Sequence, residues 1–160
     1  MKMTRLRHYL GAGTLAALAL ALHQPAQAAE DGQTIINAKC QACHTPEGNN
    51  SLSRISHQRK TPEGWDMTVT RMIRNHGVVL SPEDRATVVR YLSDSRGLTL
   101  AETSDRRYIL EREPVAVDEG PNPQMSQTCG RCHSYARVAL QRRTPEDWAH
   151  LVNFHLGQFP

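Results

Sequence analysis

The sequence contains one five-residue pattern twice, as Cys40-Gln41-Ala42-Cys43-His44 and as Cys129-Gly130-Arg131-Cys132-His133. These two copies hold all four cysteines of the chain. The pattern is the attachment signature of c-type haem. Two thiols one helical turn apart can add to the two vinyl groups of the porphyrin, and the adjacent histidine then lies beneath the iron as its fifth ligand. The sequence therefore predicts two covalently bound haem c groups, attached through Cys40, Cys43, Cys129 and Cys132, with His44 and His133 as proximal iron ligands.

Three other uses of paired cysteines fit the sequence less well. A zinc ribbon places its two cysteine pairs about 15 to 20 residues apart, whereas Cys43 and Cys129 are 86 positions apart. A thioredoxin-like redox pair needs a βαβ setting, and no strand-like alternation precedes either motif. Structural disulfides would leave the histidine after each pair unexplained.

A second similarity follows each motif. Residues 54–65 (RISHQRKTPEGW) resemble residues 137–148 (RVALQRRTPEDW), which lie 83 positions later. The two haem motifs are 89 positions apart, so the first copy contains six extra residues, Thr45-Pro46-Glu47-Gly48-Asn49-Asn50. Their composition predicts a loop. The sequence is therefore predicted to be a tandem repeat of one small haem-binding unit.

In both copies the sequence Thr-Pro-Glu predicts the start of a helix. Thr61 or Thr144 would be the N-cap, with proline at the first helical position. Apolar residues then recur with helical spacing, which predicts a face formed by Trp65, Val69 and Met72 in the first copy and by Trp148, Leu151, Val152 and His155 in the second.

Each of these helices has a potential iron ligand seven residues after its tryptophan, so Met72 and His155 are the predicted sixth ligands. Met67 and His150 lie about 200° around the helix from the tryptophans and are predicted to face away from the haem. Thioether ligation raises the haem potential relative to bis-imidazole ligation. The iron bound by His44 and Met72 should therefore have the higher potential.

Other methionines and histidines have simpler interpretations. Met67, His57 and His76 remain reserve ligands, and their default interpretation is a solvent-exposed or loop side chain. Met125 precedes the second motif and is predicted to be a packing residue.

Residues 1–28 have the features of an export signal. Lys2, Arg5 and Arg7 precede an apolar run at residues 10–22, and Ala26-Gln27-Ala28 resembles a cleavage site. The run is shorter than the roughly 20 residues that cross a bilayer, so we expect no membrane span and a periplasmic location. The rest of the chain carries 16 basic and 16 acidic residues. This balance argues against a nucleic-acid partner, which requires a net basic surface.

The remaining chain is predicted to be all-α, with two tandem small cytochrome c-like units. The first unit, residues 29–97, should close with a helix from Pro82 to about Arg96, capped by Ser81 and packed against an N-terminal helix at residues 32–39. The residues predicted for this contact are Val88, Val89 and Leu92.

Residues 98–123 are charged and rich in proline, and they are predicted to be a linker over the surface. The second unit, residues 124–160, stops before the counterpart of the closing helix. We therefore expect it to be incomplete and the chain to be a fragment of a longer protein, because an open haem pocket would expose apolar surface.

With these residues identified, the sequence resembles the haem-binding N-terminal region of the alpha subunit of quinohaemoprotein amine dehydrogenase. The similarity covers residues 40–160 and is closest in SRISHQRKTPEGW (53–65), VRYLSD (89–94), RYILER (107–112) and FHLGQFP (154–160). The resemblance implies a periplasmic heterotrimer in which a small subunit with a tryptophan-derived quinone oxidises primary amines. The alpha subunit would pass the electrons to a blue copper protein or a cytochrome c. The resemblance also implies β-rich domains after the haem region.

We therefore expect a subunit that transfers electrons and has no catalytic residues of its own. The alternative is a free-standing periplasmic dihaem carrier, which would not co-purify with a quinone-bearing subunit. Haem catalysis or gas sensing needs an open iron position, and the predicted sixth ligands Met72 and His155 argue against it.

Overall fold

The computed structural model describes residues 24–112, 118 and 120–158. Within these residues the chain is mainly helical, which confirms the predicted all-α class. The helices are α1 (Gln24–Cys40), α2 (Pro62–His76), α3 (Pro82–Ser95), α4 (Leu100–Thr103), α5 (Arg107–Arg112), α6 (Pro123–Cys129), α7 (Ala136–Ala139) and α8 (Pro145–Gln158), and the two short strands are β1 (Arg59–Lys60) and β2 (Gln141–Arg142).

The predicted export signal falls mostly outside the described residues, since its first 23 positions are not among them. Its predicted cleavage site, Ala26-Gln27-Ala28, lies within α1, which begins eight residues before the N-terminal helix expected at residues 32–39. None of the helices in the described residues is long and apolar enough to cross a membrane.

The first unit has its core between α1, α2 and α3. Trp65 is 1% exposed at the centre of this core, and its indole N–H donates to the carbonyl of Arg96 at 3.1 Å. A Cβ on Gly32 would collide with Tyr91, so the close approach of α1 to α3 requires glycine. The predicted packing of α3 against the N-terminal helix is confirmed by the buried residues of the core, which are Ile36, Leu52, Trp65, Val69, Val88 and Leu92.

The N-caps predicted from the sequence are confirmed. The Thr61 hydroxyl accepts the amide of Gly64 at 3.2 Å, and the Thr144 hydroxyl accepts the amide of Asp147 at 3.2 Å. Each bond satisfies an amide that has no partner within its own helix. Gly77 caps the end of α2 with φ of 72°, a left-handed conformation that glycine adopts without steric cost.

The two repeats meet at a short antiparallel bridge, in which Arg59 pairs with Arg142 and Lys60 pairs with Gln141. Arg59 and Arg142 are equivalent residues, because they are separated by the 83-residue offset of the repeat. An antiparallel pair between equivalent residues places a local two-fold axis between them. The two copies of the sequence repeat therefore form a symmetric contact with each other.

One side-chain hydrogen bond recurs on both sides of this axis. The Gln58 side chain donates to the carbonyl of Arg54, and the equivalent Gln141 donates to the carbonyl of Arg137 at 2.5 Å. The two copies therefore share this hydrogen bond, although their backbones differ, since Arg54 has a φ of 64° and Arg137 lies in helix α7.

Residues 98–123 are more than a surface linker, because they contain α4 and α5. Leu98 and Ile109 pack, together with Met67 of α2, against the buried Ala136 and Leu140 of the second unit. The second unit thus takes part of its core from the connecting segment and part from the first unit. Met67, for which we expected an exposed side chain, is a packing residue.

Glu102 of α4 binds arginines on both sides of the bridge. Its carboxylate accepts from Arg59 at 3.1 and 2.5 Å and lies 3.5 Å from the Nε of Arg142. It also accepts the amide of Thr99 at 2.9 Å, which completes a capping box at the start of α4. The hydrogen bond from Arg59 is the main cause that lowers the pKa of Glu102 to about 2.

This lowered pKa predicts a pH-dependent contribution to stability. Ionised Glu102 should stabilise the fold above its ordinary pKa of 4.5, and this stabilisation should be lost as the pH falls from there towards 2. We expect Glu102→Gln to lower the thermal midpoint by a few degrees at neutral pH, with the difference from the parent chain shrinking in acid. Thermal unfolding followed by circular dichroism measures both effects.

Asp94→Asn is the matched control, because Asp94 is an exposed carboxylate in the last turn of α3. We expect its midpoint to stay within a degree or so of the parent. A Glu102→Gln difference that is equally large at pH 7 and pH 3 would show that the ion pairs do not provide the stabilisation.

Candidate functional site

The first Cys-X-X-Cys-His motif forms a helical turn directly after α1. The amides of Cys43 and His44 both donate to the carbonyl of Cys40, at 3.2 and 2.9 Å. Cys40 is half-buried against the first core, whereas Cys43 is exposed. Burial raises the pKa of the Cys40 thiol, and neighbouring Cys43 raises it further. The two thiols therefore lie one turn apart, as haem attachment requires.

His44 is oriented by a backbone carbonyl. Its Nδ1 lies 2.8 Å from the carbonyl oxygen of Ser53. Because a carbonyl can only accept, Nδ1 carries the hydrogen, and in the neutral ring the lone pair is then on Nε2. Histidines that bind metals are commonly held in this way, since the bond fixes both the tautomer and the direction of the ring. His44 therefore has the form expected of a proximal iron ligand.

The second motif has the same pattern of cysteine burial, and its histidine has a different acceptor. Cys129 ends α6 and is half-buried, and Cys132 is exposed, as in the first copy. The Nδ1 of His133 lies 3.0 Å from the carbonyl of the next residue, Ser134. The same argument leaves the lone pair of neutral His133 on Nε2.

The predicted loop in the first copy explains why the acceptors differ. Gly48, Asn49 and Asn50 all have positive φ angles, of 83°, 47° and 57°. Glycine and asparagine are the residues that adopt this conformation most readily. The turn brings the chain back so that the Ser53 carbonyl reaches His44, and Leu52, 1% exposed, enters the core.

His155 lies on α8, and its ring is close to that of His133. The two ring centres are 6.3 Å apart and the ring planes meet at 64°. A metal–imidazole bond of about 2.0 Å, with roughly 1.1 Å from nitrogen to ring centre, places two imidazoles on opposite sides of one metal about 6 Å apart. The Nδ1 of His155 lies 2.8 Å from the carbonyl of Leu151, so the lone pair of the neutral ring is again on Nε2. The pair therefore fits one bis-histidine iron site.

Met72 lies in the last turn of α2 and is half-buried. The residue after it, Ile73, packs against the first core, and so does Cys40 of the first motif. Met72 thus belongs to the same unit as His44, which is what its predicted role as the sixth ligand of the first iron requires. That role stays a prediction.

The remaining histidines have other surroundings. His57 forms a pair with Glu47, with 2.7 Å between its Nε2 and the carboxylate oxygen. His76 and His150 are exposed. The reserve histidines His57 and His76 therefore lie at the surface, as their default interpretation expects, whereas the reserve ligand Met67 does not.

The part of the chain that the structure describes has no site at which side chains alone could bind a metal ion. No three histidine, cysteine, aspartate or glutamate side chains converge there into a group that could hold an ion. The four cysteines are not joined in disulfides. The predicted ligand pairs, His44 with Met72 and His133 with His155, would need further donors to hold an iron ion, and a porphyrin would supply them.

The two helices that carry the predicted sixth ligands touch each other at the local two-fold axis. The guanidinium carbon of Arg71 lies 5.7 Å from the ring centre of Phe154. These residues are equivalent in the repeat, and each immediately precedes a predicted ligand, Met72 or His155. The contact therefore brings the two ligand positions near one another.

Repeated helical units with paired thiols and a carbonyl-oriented histidine define a haem-binding protein of the cytochrome c type. A family model described as quinohemoprotein amine dehydrogenase A, alpha subunit, haem binding, matches residues 30–160. The chain belongs to this family, and the resemblance found in the sequence is confirmed. The family supports a haem electron-transfer role in an amine dehydrogenase of several subunits. No curated protein sequence matches the chain.

The paired histidines predict the effect of removing one of them. His155→Ala should remove the sixth ligand of one iron, so that the reduced protein binds carbon monoxide at one haem. His150→Ala is the matched control, because His150 is exposed on the same helix. We expect no carbon monoxide binding in that variant. Absorption spectra of the reduced proteins with and without carbon monoxide measure this, and an unchanged spectrum for His155→Ala would exclude it as a ligand.

A second pair of variants tests Met72. Met72→Leu keeps the side-chain volume but removes the sulfur ligand, so one haem should lose the charge-transfer band of methionine-bound ferric iron. Its midpoint potential should fall by on the order of 0.1 V. Met67→Leu is the control, since Met67 packs against the second unit. The same loss of the band in Met67→Leu would reassign the ligand.

Proposed function

We propose that this chain is the dihaem electron-transfer part of a periplasmic quinohaemoprotein amine dehydrogenase. It would accept electrons from the quinone cofactor of a catalytic partner subunit and pass them to a soluble carrier, a blue copper protein or a cytochrome c. The single observation that carries the proposal is the family match over residues 30–160. The haem-site geometry in both repeats supports it.

Within this proposal, the residues of the chain attach and orient the redox groups. The thiols of Cys40 and Cys43, and of Cys129 and Cys132, would form the thioether links. His44 would face its iron through Nε2 because its Nδ1 is bound to a carbonyl 2.8 Å away. When bound, haem iron supplies one-electron oxidation and reduction.

The two sites would differ in potential because their sixth ligands differ. A methionine sulfur at Met72 favours reduced iron more than the imidazole of His155 does. The protein would therefore hold the two redox groups at separate potentials within one chain, which gives an electron relay a direction. The low-potential group at His133 and His155 would be the one that faces the quinone subunit.

The proposed location rests on the first 28 residues. Their basic start, apolar run and small-residue end favour export to the periplasm. Attachment of c-type haem and a soluble periplasmic acceptor are both consistent with that compartment. The partners would be the quinone-bearing subunit and the other subunits of a heterotrimer.

The proposal predicts two results for the chain matured in its native export system. Mass spectrometry should show two added haems, one on each cysteine pair, and replacing both cysteines of one pair by alanine should remove one of them. The full complex, mixed with a primary amine, should then reduce haem in the unmodified chain, as followed by stopped-flow absorbance. Addition of the amine without the quinone subunit is the control and should reduce nothing.

One haem or none by mass would contradict the dihaem assignment. Two haems in a chain that neither co-purifies with a quinone subunit nor is reduced by it would leave the free-standing carrier as the better description. The two failures are therefore separable.

A further inference from the structure

The junction between the units holds a group of positive charges that haem ligation does not use. We define the cation cluster as Lys60, Arg71 and Arg143. Lys60 is only 3% exposed, and the other two are half-buried. Lys60 and Arg143 are equivalent residues of the repeat and flank the antiparallel bridge, so the local two-fold axis brings them together.

The members of the cation cluster are held by neutral groups. Lys60 Nζ donates to the Thr68 hydroxyl at 2.6 Å, and Arg143 Nε donates to the Gln141 side chain at 2.7 Å. The guanidinium of Arg71 lies on an aromatic ring. Among the described residues, none of the three forms an ion pair with a carboxylate.

One acid lies near the cation cluster, and it already has a partner. Asp147 is 4% exposed, and its carboxylate lies 3.7 Å from the Nε of Arg54, a further cation. Burial, followed by the charges of Arg143 and Arg71, lowers the pKa of Lys60 well below its usual value. Burial lowers the pKa of Arg143 to about 10, and Arg71 adds to this effect. The cations are therefore crowded and only partly compensated.

Buried like charges without an anion are unfavourable, so this arrangement favours a negatively charged ligand. Arg71 immediately precedes Met72 and touches Phe154, which immediately precedes His155. Arg71, one member of the cation cluster, thus lies beside both predicted sixth-ligand positions. Haem itself carries propionate carboxylates, and guanidinium groups bind carboxylates with two parallel hydrogen bonds.

We propose that the cation cluster of Lys60, Arg71 and Arg143 binds a haem propionate. The inference rests on the proposed function, because the carboxylate is present only if haem is attached. The guanidinium N–H groups of Arg71 and Arg143 donate to this carboxylate and neutralise its charge. The cations also favour the reduced, more electron-rich form of the nearby haem and so raise its midpoint potential.

The test uses the full chain with both haems attached, as verified by mass. Arg71→Gln removes one cation, and Arg74→Gln is the matched control, because Arg74 is exposed one turn further along α2. Spectroelectrochemical titration should show that Arg71→Gln lowers the midpoint potential of at least one haem by about 59 mV. This shift corresponds to about a tenfold change in the reduction equilibrium of that haem. Arg71→Lys keeps the charge and should restore most of the potential. Arg74→Gln should leave it unchanged.

Thermal unfolding of the oxidised holoprotein gives a second readout. A neutralised and an uncompensated cation cluster predict opposite shifts of the thermal midpoint in Arg71→Gln. If the carboxylate neutralises the cation cluster, Arg71→Gln lowers the thermal midpoint. If the cations are uncompensated, the same change relieves repulsion and raises it, which would overturn the proposal. Arg143→Gln, on the other side of the axis, should shift the thermal midpoint in the same direction as Arg71→Gln. It takes the place of Arg71→Gln if that variant does not attach both haems.

Two further measurements identify the anion. A propionate carboxylate band in the reduced-minus-oxidised infrared spectrum should shift in Arg71→Gln but not in Arg74→Gln, and unshifted bands in both would contradict the proposal. Inorganic phosphate should not stabilise the unmodified holoprotein beyond chloride at equal ionic strength, and stabilisation would show that a solute anion fills the cluster. Two attached haems with unchanged potentials in Arg71→Gln would contradict this inference alone, whereas absence of attached haem would contradict the proposed function as well.

Discussion

The antiparallel pairing of Arg59 with Arg142 determines how the two repeats face each other. Two strand residues on each side form a weak contact by themselves, and the structure reinforces it from three directions. Glu102 binds both arginines of the pair, Met67 of the first unit packs into the core of the second, and Arg71 of α2 contacts Phe154 of α8. Because equivalent residues meet at the bridge and again between the helices, one local two-fold axis relates the units. The axis brings the predicted sixth ligands of both irons to the same junction, which is the arrangement that electron transfer between two redox groups within one chain requires.

Several departures from symmetry lie near this axis. The methionine at position 72 is matched by a histidine at 155, and the arginine at 71 by a phenylalanine at 154. Gly64 is matched by the buried Asp147, which gives Arg54 a carboxylate partner at 3.7 Å. Arg137, the equivalent of Arg54, has its Nε buried without a hydrogen-bond partner in the described residues. The two copies of the repeat thus place the two predicted haem sites in different electrostatic surroundings through a few side chains. Such a difference would add to the one that the predicted sixth ligands, methionine and histidine, would make between the two potentials.

The sequence predicted the features that depend on neighbours along the chain. The N-caps at Thr61, Ser81 and Thr144, the helices that follow them and the loop at Gly48 to Asn50 follow from local patterns, and the structure has all of them. The approach of His155 to His133 could be predicted from the sequence, because His155 lies on the helix that follows the second motif, seven residues beyond Trp148. The bridge between the repeats, the helices α4 and α5 and the packing of Met67 were not predicted. The bridge and the packing of Met67 depend on contacts between segments far apart in sequence, and a two-residue strand leaves no periodic signal. Helix α4 does have a local signal, the capping box of Thr99 and Glu102.

The second unit has too little apolar core to be stable through its own packing. Its buried cluster consists of Ala136 and Leu140, completed by residues from the connecting segment and from α2. Only 5% of the chain is aromatic, so few large side chains could fill the space. On α8, Val152 and Leu156 are 55% and 66% exposed, and helical spacing places both on the face that carries His155. A small unit with an apolar face around its predicted metal ligand needs an apolar group to cover that face. The porphyrin would supply such a body, and in this unit it would contribute to folding as well as to redox chemistry.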